Sequence, residues 1–148
     1  PTPLEQAARS VLHLLEPEFK SRQARMTLDV EAAPAVMADP VALEQIVHNL
    51  LMNALQALEQ VPAEQRHIRL RLLCDGSEGL LQVSDSGPGI PDEALPRLFQ
   101  PFFSTRRGGL GLGLSLCETL AVGMGGSLGA RNTPPHGAEF TLRLPLAP

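Results

Sequence analysis

The sequence contains no tryptophan, no tyrosine and only five phenylalanines, so any core must be built from aliphatic side chains. Lysine is almost as scarce: Lys20 is the single one. That absence excludes a P-loop, which needs Gly-Lys-Ser/Thr, and a kinase of the eukaryotic type, which needs a strand lysine and a His-Arg-Asp loop. Two cysteines, Cys74 and Cys117, form neither a Cys-x-x-Cys pair nor a Cys/His cluster, which argues against a disulfide scaffold and a structural zinc site. No apolar run approaches the roughly 18 residues that span a bilayer, and no signal peptide opens the chain. The expectation is a fragment that is not membrane-bound. A net charge of −4 leaves no broad basic surface, so nucleic acid is not an expected partner.

What is present suits a folded domain. Hydrophobic residues make up 43% of the 148 residues and charged ones 19%, enough for one ordinary core. Leu4, Ala7, Ala8, Val11, Leu12, Leu15 and Phe19 recur at helical spacing and predict a helix from Pro3 to about Gln23. A second helix is signalled by Asp39 as cap and Pro40 in the first turn, and runs to about Glu59. Short strands are expected at 26–31 and 35–38. His67–Leu72 and Phe140–Leu144 alternate strictly, as a sheet with one dry and one wet face requires. Gly79–Asp85 pairs with the former across Asp75-Gly76-Ser77. A Gly-, Pro- and Arg-rich stretch follows from Ser86 to Gly109, then a helix from about Leu110 to Met124 and strands at 127–132 and 138–145. The expected architecture is α+β, a two-layer sandwich with a mixed, mostly antiparallel sheet and about three helices on one face.

Three clusters carry chemistry. On the second helix, Gln45, Asn49, Asn53 and Gln56 share a face. Carboxamides ligate a hard cation through oxygen and donate to phosphate through nitrogen, without adding negative charge. A plain amphipathic helix with its amides in water explains the same row. Asp85-Ser86-Gly87-Pro88-Gly89-Ile90 follows a strand, with Asp85 on the face of Leu81 and Val83, where a carboxylate is costly unless hydrogen-bonded. An ordinary turn is the competing explanation. Gly109-Leu110-Gly111-Leu112-Gly113-Leu114-Ser115 opens a helix with poor helix formers, leaving N–H groups free to cradle an anion. A flexible loop or tight helix packing would explain it otherwise. Between them lies Leu95–Arg107, whose phenylalanines would anchor a lid while Arg106 and Arg107 reach polyphosphate.

In this order the motifs resemble the ATP-binding catalytic domain of bacterial sensor histidine kinases. That domain is a branch of the wider gyrase, heat-shock chaperone, histidine kinase and MutL ATPases with the Bergerat-type fold. His48-Asn49-Leu50-Leu51-Met52-Asn53-Ala54 resembles the asparagine box, and Asp85–Ile90 the first glycine box. Leu98–Phe103 resembles the phenylalanine box, Gly109–Ser115 the second glycine box, and Gly137–Phe140 a looser last box. The short lid and Pro-Phe-Phe-Ser-Thr-Arg run look most like the nitrogen-regulation and dicarboxylate-sensing kinases. The resemblance implies that residues 1–148 are one catalytic and ATP-binding domain using ATP and Mg²⁺. Asn53 would hold the metal, with Asn49 in support. Asp85 would accept from the adenine amine, and Gly87 and Gly89 would admit the ring. Gly109, Gly111 and Gly113 would line the triphosphate, with Arg106 or Arg107 neutralising charge. Ile90, Phe99, Thr105, Leu110 and Leu112 complete the expected lining.

Guanine presents an oxygen where adenine presents an amine, so ATP is expected over GTP. Two departures stand out: Gln56 replaces a frequent Lys or Arg, and Arg106 stands where that branch has lysine. None of His13, His48, His67 or His136 has the context of a phosphoacceptor. The acceptor is therefore expected on a separate dimerisation and phosphoacceptor helical domain, with a response regulator downstream. The fragment is expected to be a monomer and the full-length protein a homodimer, cytoplasmic or anchored in the bacterial inner membrane. Competing readings are an ATPase of the gyrase, chaperone or MutL type, a serine kinase of the anti-sigma-factor kind, and a nucleotide-sensing partner-binding module. Asn49 stands where the hydrolases place a glutamate that activates water, and an amide has no such basicity.

Overall fold

In the computed structural model, residues 1–101 and 113–148 are described. A short strand β1 (Thr2–Pro3) leads into helix α1 (Leu4–Ser21), and strands β2 (Arg25–Val30) and β3 (Ala35–Val36) follow. Helix α2 (Pro40–Ala57) precedes the hairpin β4 (His67–Asp75) and β5 (Glu78–Asp85). Helix α3 (Gly113–Gly123), β6 (Ser127–Asn132) and β7 (Ala138–Pro145) complete the order.

Each helix forms for a local reason. Leu4, Ala7, Ala8, Val11, Leu15 and Phe19 of α1 are all buried, one stripe at three- and four-residue spacing. Pro17 sits inside α1, but the carbonyl it leaves unpaired belongs to exposed His13, where water can serve it. The helix closes with Gln23 at φ 53°, its N–H bonding the Lys20 carbonyl while Ala24 N–H reaches back to Phe19. The Asp39 carboxylate accepts from Ala42 N–H at 3.2 Å, capping α2 as its sequence predicts.

Five strands form one sheet in the order β2-β4-β5-β7-β6. Only β2 and β4 run parallel, and α2 supplies the crossover that parallel neighbours require. The last strand slots between β5 and β6, so Asp85, Ala138 and Asn132 lie on one rung of the ladder. β1 and β3 make a separate two-stranded ribbon. Ile68, Leu70, Leu72, Leu81, Val83, Phe140, Leu142 and Leu144 face the helices and join Leu43, Ile46, Leu50 and Leu51 in the core. The opposite face is polar, crossed by Arg69–Asp29, Arg71–Glu31, Ser84–Glu139 and Arg131–Glu139 contacts. The partly exposed Arg69–Asp29 and Arg71–Glu31 pairs contribute little each, roughly 0–1 kcal/mol, whereas the Glu139 carboxylate is buried against Ser84 and Arg131. All three helices therefore cover one side. Among the described residues no helix is long and apolar enough to cross a membrane.

Candidate functional site

The site gathers where the C-terminal half of α2 meets the end of the central strand β5. Asp85 is the last residue of β5 and only 8% exposed, between Ile68 of β4 and Ala138 of β7. Burial pushes its carboxyl above the ordinary carboxylate range, while the Gly87 and Ala138 N–H groups and nearby His136 pull it partway back. Gly87 N–H donates to Oδ1 at 2.8 Å. A buried carboxylate satisfied this sparingly is a strong acceptor awaiting a donor.

The following loop stays close to its neighbours because two glycines allow it. A Cβ on Gly87 would stand 2.8 Å from the Ala57 carbonyl at the end of α2. Gly89 has φ +89°, and a Cβ there would meet Asn132 Oδ1 at 3.0 Å. Ser86 ties the start of the loop down: its hydroxyl donates to the Gln65 carbonyl at 2.7 Å and accepts from His67 N–H at 2.9 Å. Ile90 is half-buried against the core, and the Phe99 ring meets Phe140 edge-on at 6.4 Å. Phe99 thus anchors the loop to β7.

The carboxamide row on α2 is graded rather than uniformly wet. Gln45 is exposed and reaches Asn49 Oδ1 at 3.4 Å, while Asn49, Asn53 and Gln56 are half-buried. Asn49 also bonds the Cys117 thiol of α3, whose pKa burial pushes up despite that bond, so the sulfur stays protonated. Among the described residues, Gln56 Oε1 is enclosed with no hydrogen-bond partner. Asn53 lies one turn before Ala57, whose carbonyl would stand 2.8 Å from a Cβ on Gly87. The half-buried Asn53 and the orphaned Gln56 oxygen form a neutral, oxygen-bearing edge, the donor type a magnesium–phosphate complex uses.

Of the residues singled out by the sequence, Asn49, Asn53 and Gln56 lie on α2, Asp85 ends β5, and Gly87, Gly89, Ile90 and Phe99 follow it. Gly113 is the exposed first residue of α3. Thr105, Arg106, Arg107, Gly109, Leu110, Gly111 and Leu112, expected on the phosphate side, lie outside the described residues. Among the histidines, His13 and His136 are exposed and His48 and His67 half-buried. The His67 imidazole is lowered in pKa by burial and by Arg25 and Arg69, and bonds Thr27 Oγ1 at 2.7 Å. Two features went unread in the sequence: the Ser86 bridge and Asn132, a lone amide at a strand end that carries no periodic signal.

Comparison with known proteins agrees with this fold. Residues 38–148 match the family described as histidine kinase-, DNA gyrase B- and HSP90-like ATPase. The sensor protein TorS of Escherichia coli K12 is 41% identical over 141 residues, covering 93% of this chain and 15% of that protein. The chain therefore spans about a seventh of that relative. The catalytic domain of the histidine kinase ThkA superposes with TM-score 0.86 at 28% identity, over 98% of this chain and 95% of that one. Full-length ShkA in complex with AMPPNP superposes with TM-score 0.85 at 31% identity, over 99% of this chain and 31% of that one.

Proposed function

The chain belongs to the histidine kinase-, DNA gyrase B- and HSP90-like ATPase family, and from that premise we propose that it binds Mg·ATP and presents the γ-phosphoryl group to a histidine on a separate helical domain, as the catalytic part of a two-component sensor kinase. The observation that carries the reading is Asp85: a carboxylate 8% exposed, at the end of a central strand, beside a glycine loop pressed against α2. A carboxylate there suits the exocyclic amine of adenine and repels the corresponding oxygen of guanine.

Asn53 would hold the magnesium, with Gln56 Oε1 as a second neutral oxygen close by. Bound there, the ion supplies charge neutralisation across the phosphates. Asn49 supports Asn53 from the preceding turn and offers no base for water, so slow hydrolysis is expected from the domain alone. Arg106, Arg107 and the glycines from Gly109 to Gly113 would meet the triphosphate. The similarity to ShkA, solved with AMPPNP, supports the nucleotide assignment. The sensor histidine kinase relatives support a histidine acceptor, and the similarity to ThkA, solved in complex with the response regulator protein TrrA, supports a response regulator downstream.

Calorimetry with Mg·ATP and Mg·GTP tests the first half. The expected result is magnesium-dependent ATP binding, with GTP weaker by an order of magnitude or more. Asn53→Ala should weaken Mg·ATP roughly tenfold while leaving the melting temperature nearly unchanged, because its amide is half-exposed. Incubation with radiolabelled ATP and a histidine-bearing helical domain tests the second half, the label being expected on the acceptor. No heat with adenine nucleotides, or ATP hydrolysis as fast as a dedicated ATPase, would overturn the proposal.

A further inference from the structure

Among the described residues, Gly87 to Ile90 make no main-chain to main-chain hydrogen bond. A loop in that condition is only as well placed as the side chains that hold it. At its near end are Asp85 Oδ1 on Gly87 N–H and the Ser86 hydroxyl on Gln65 and His67. At its far end a single side chain serves. Asn132 Oδ1 accepts from Ile90 N–H at 2.7 Å, and Asn132 Nδ2 donates to the Ile90 carbonyl at 2.7 Å. One carboxamide thus satisfies both backbone groups of one residue, a pairing that fixes orientation as well as distance.

The position of Asn132 gives that latch a purpose. It occupies the same rung as Asp85, with Ala138 between them. Two strand spacings, about 10 Å, separate the ends of the rung. The loop leaves β5 after Asp85, passes the end of β7, and is caught above β6. Asn132 is half-buried, and Gly89 lies so close beneath it that a Cβ would sit 3.0 Å from its oxygen.

We infer that Asn132 is a specificity-determining positioning residue, which holds the far wall of the purine pocket so that the base meets Asp85 square-on. The inference rests on the reading of Asp85 as the adenine acceptor. Asp85 tests one atom of the base edge, and it discriminates only if the ring cannot tilt. With Ile90 released the wall gives way, adenine loses alignment, and guanine can turn its oxygen away from the carboxylate.

Calorimetry on the full chain with Mg·ATP, Mg·GTP and inorganic tripolyphosphate, for wild type, Asn132→Ala and Asn132→Asp, decides the matter. Asn132→Asp keeps the volume and the acceptor but sets a carboxylate against the Ile90 carbonyl. Both variants should bind Mg·ATP about tenfold more weakly and narrow the ATP:GTP ratio several-fold, with tripolyphosphate affinity unchanged. Amide exchange at Ile90 should accelerate in both without a matching fall in melting temperature. An unchanged ATP:GTP ratio overturns the inference, as does a uniform loss of all three ligands alongside the melting temperature. Wild-type behaviour of Asn132→Asp would reduce the residue to a space filler and overturn it equally. Absence of Mg·ATP binding by the wild type instead removes the underlying reading, and the inference with it.

Discussion

Burial holds the Asp85 carboxyl above the ordinary carboxylate range despite the Gly87 and Ala138 N–H groups, so its ionised form opposes folding. The folded state binds that proton more tightly than the unfolded one. Its contribution therefore grows less favourable as pH rises from the unfolded value through the raised folded value, and the full penalty stands above both. Asp85→Asn should melt higher than wild type at neutral pH without nucleotide, and the gap should close in acid. The same substitution should weaken Mg·ATP roughly ten- to a hundredfold, because an amide N–H would face the adenine amine. Thermal melts over a pH series and calorimetry read the two opposite signs. Gly87→Ala is a different kind of test: its methyl would stand 2.8 Å from the Ala57 carbonyl and 2.9 Å from Asp85 Oδ1. A loss of about 1–3 kcal/mol in denaturant unfolding is expected, together with weakened nucleotide binding.

Elements formed where local and long-range demands agreed, and those were legible. The apolar stripe of α1, the Asp39 cap of α2 and the alternation of β4 and β7 each state a buried face in a few residues. β1 and β3 were not read as a ribbon, since two-residue strands have no period and their pairing is set by contacts distant in sequence. Nor did any pattern say that β2 would pair parallel with β4, or that β7 would insert between β5 and β6. In the site, Asn53, Asp85 and Gly87 announced themselves by residue type and spacing. Ser86 and Asn132 act through backbone partners that only the assembled sheet brings near. One helix end departs from its usual chemistry: Gln23 holds φ 53° where glycine is the common choice. Gln23→Gly should raise stability by about 0.5–1 kcal/mol, seen as a higher denaturant midpoint at unchanged slope.

At the scale of the whole molecule, the candidate site draws on α2, the centre of the sheet and the β6–β7 hairpin. A ligand bridging them should stabilise the entire cooperative unit. Mg·ATP at a hundredfold excess over its dissociation constant is expected to add about 2.7 kcal/mol, and GTP at the same concentration clearly less; paired melting curves measure the difference. The sheet order carries one more consequence. Asp85 is translated well before the strand that flanks it, and Ala138 and the rest of β7 come last of the seven. A ribosome stalled between Asp85 and that strand holds a nascent chain with its carboxylate made and one flanking strand missing. On the proposed reading, nucleotide occupancy would report that the sheet of this domain is complete, and early filling of the site would shelter such domains from proteolysis.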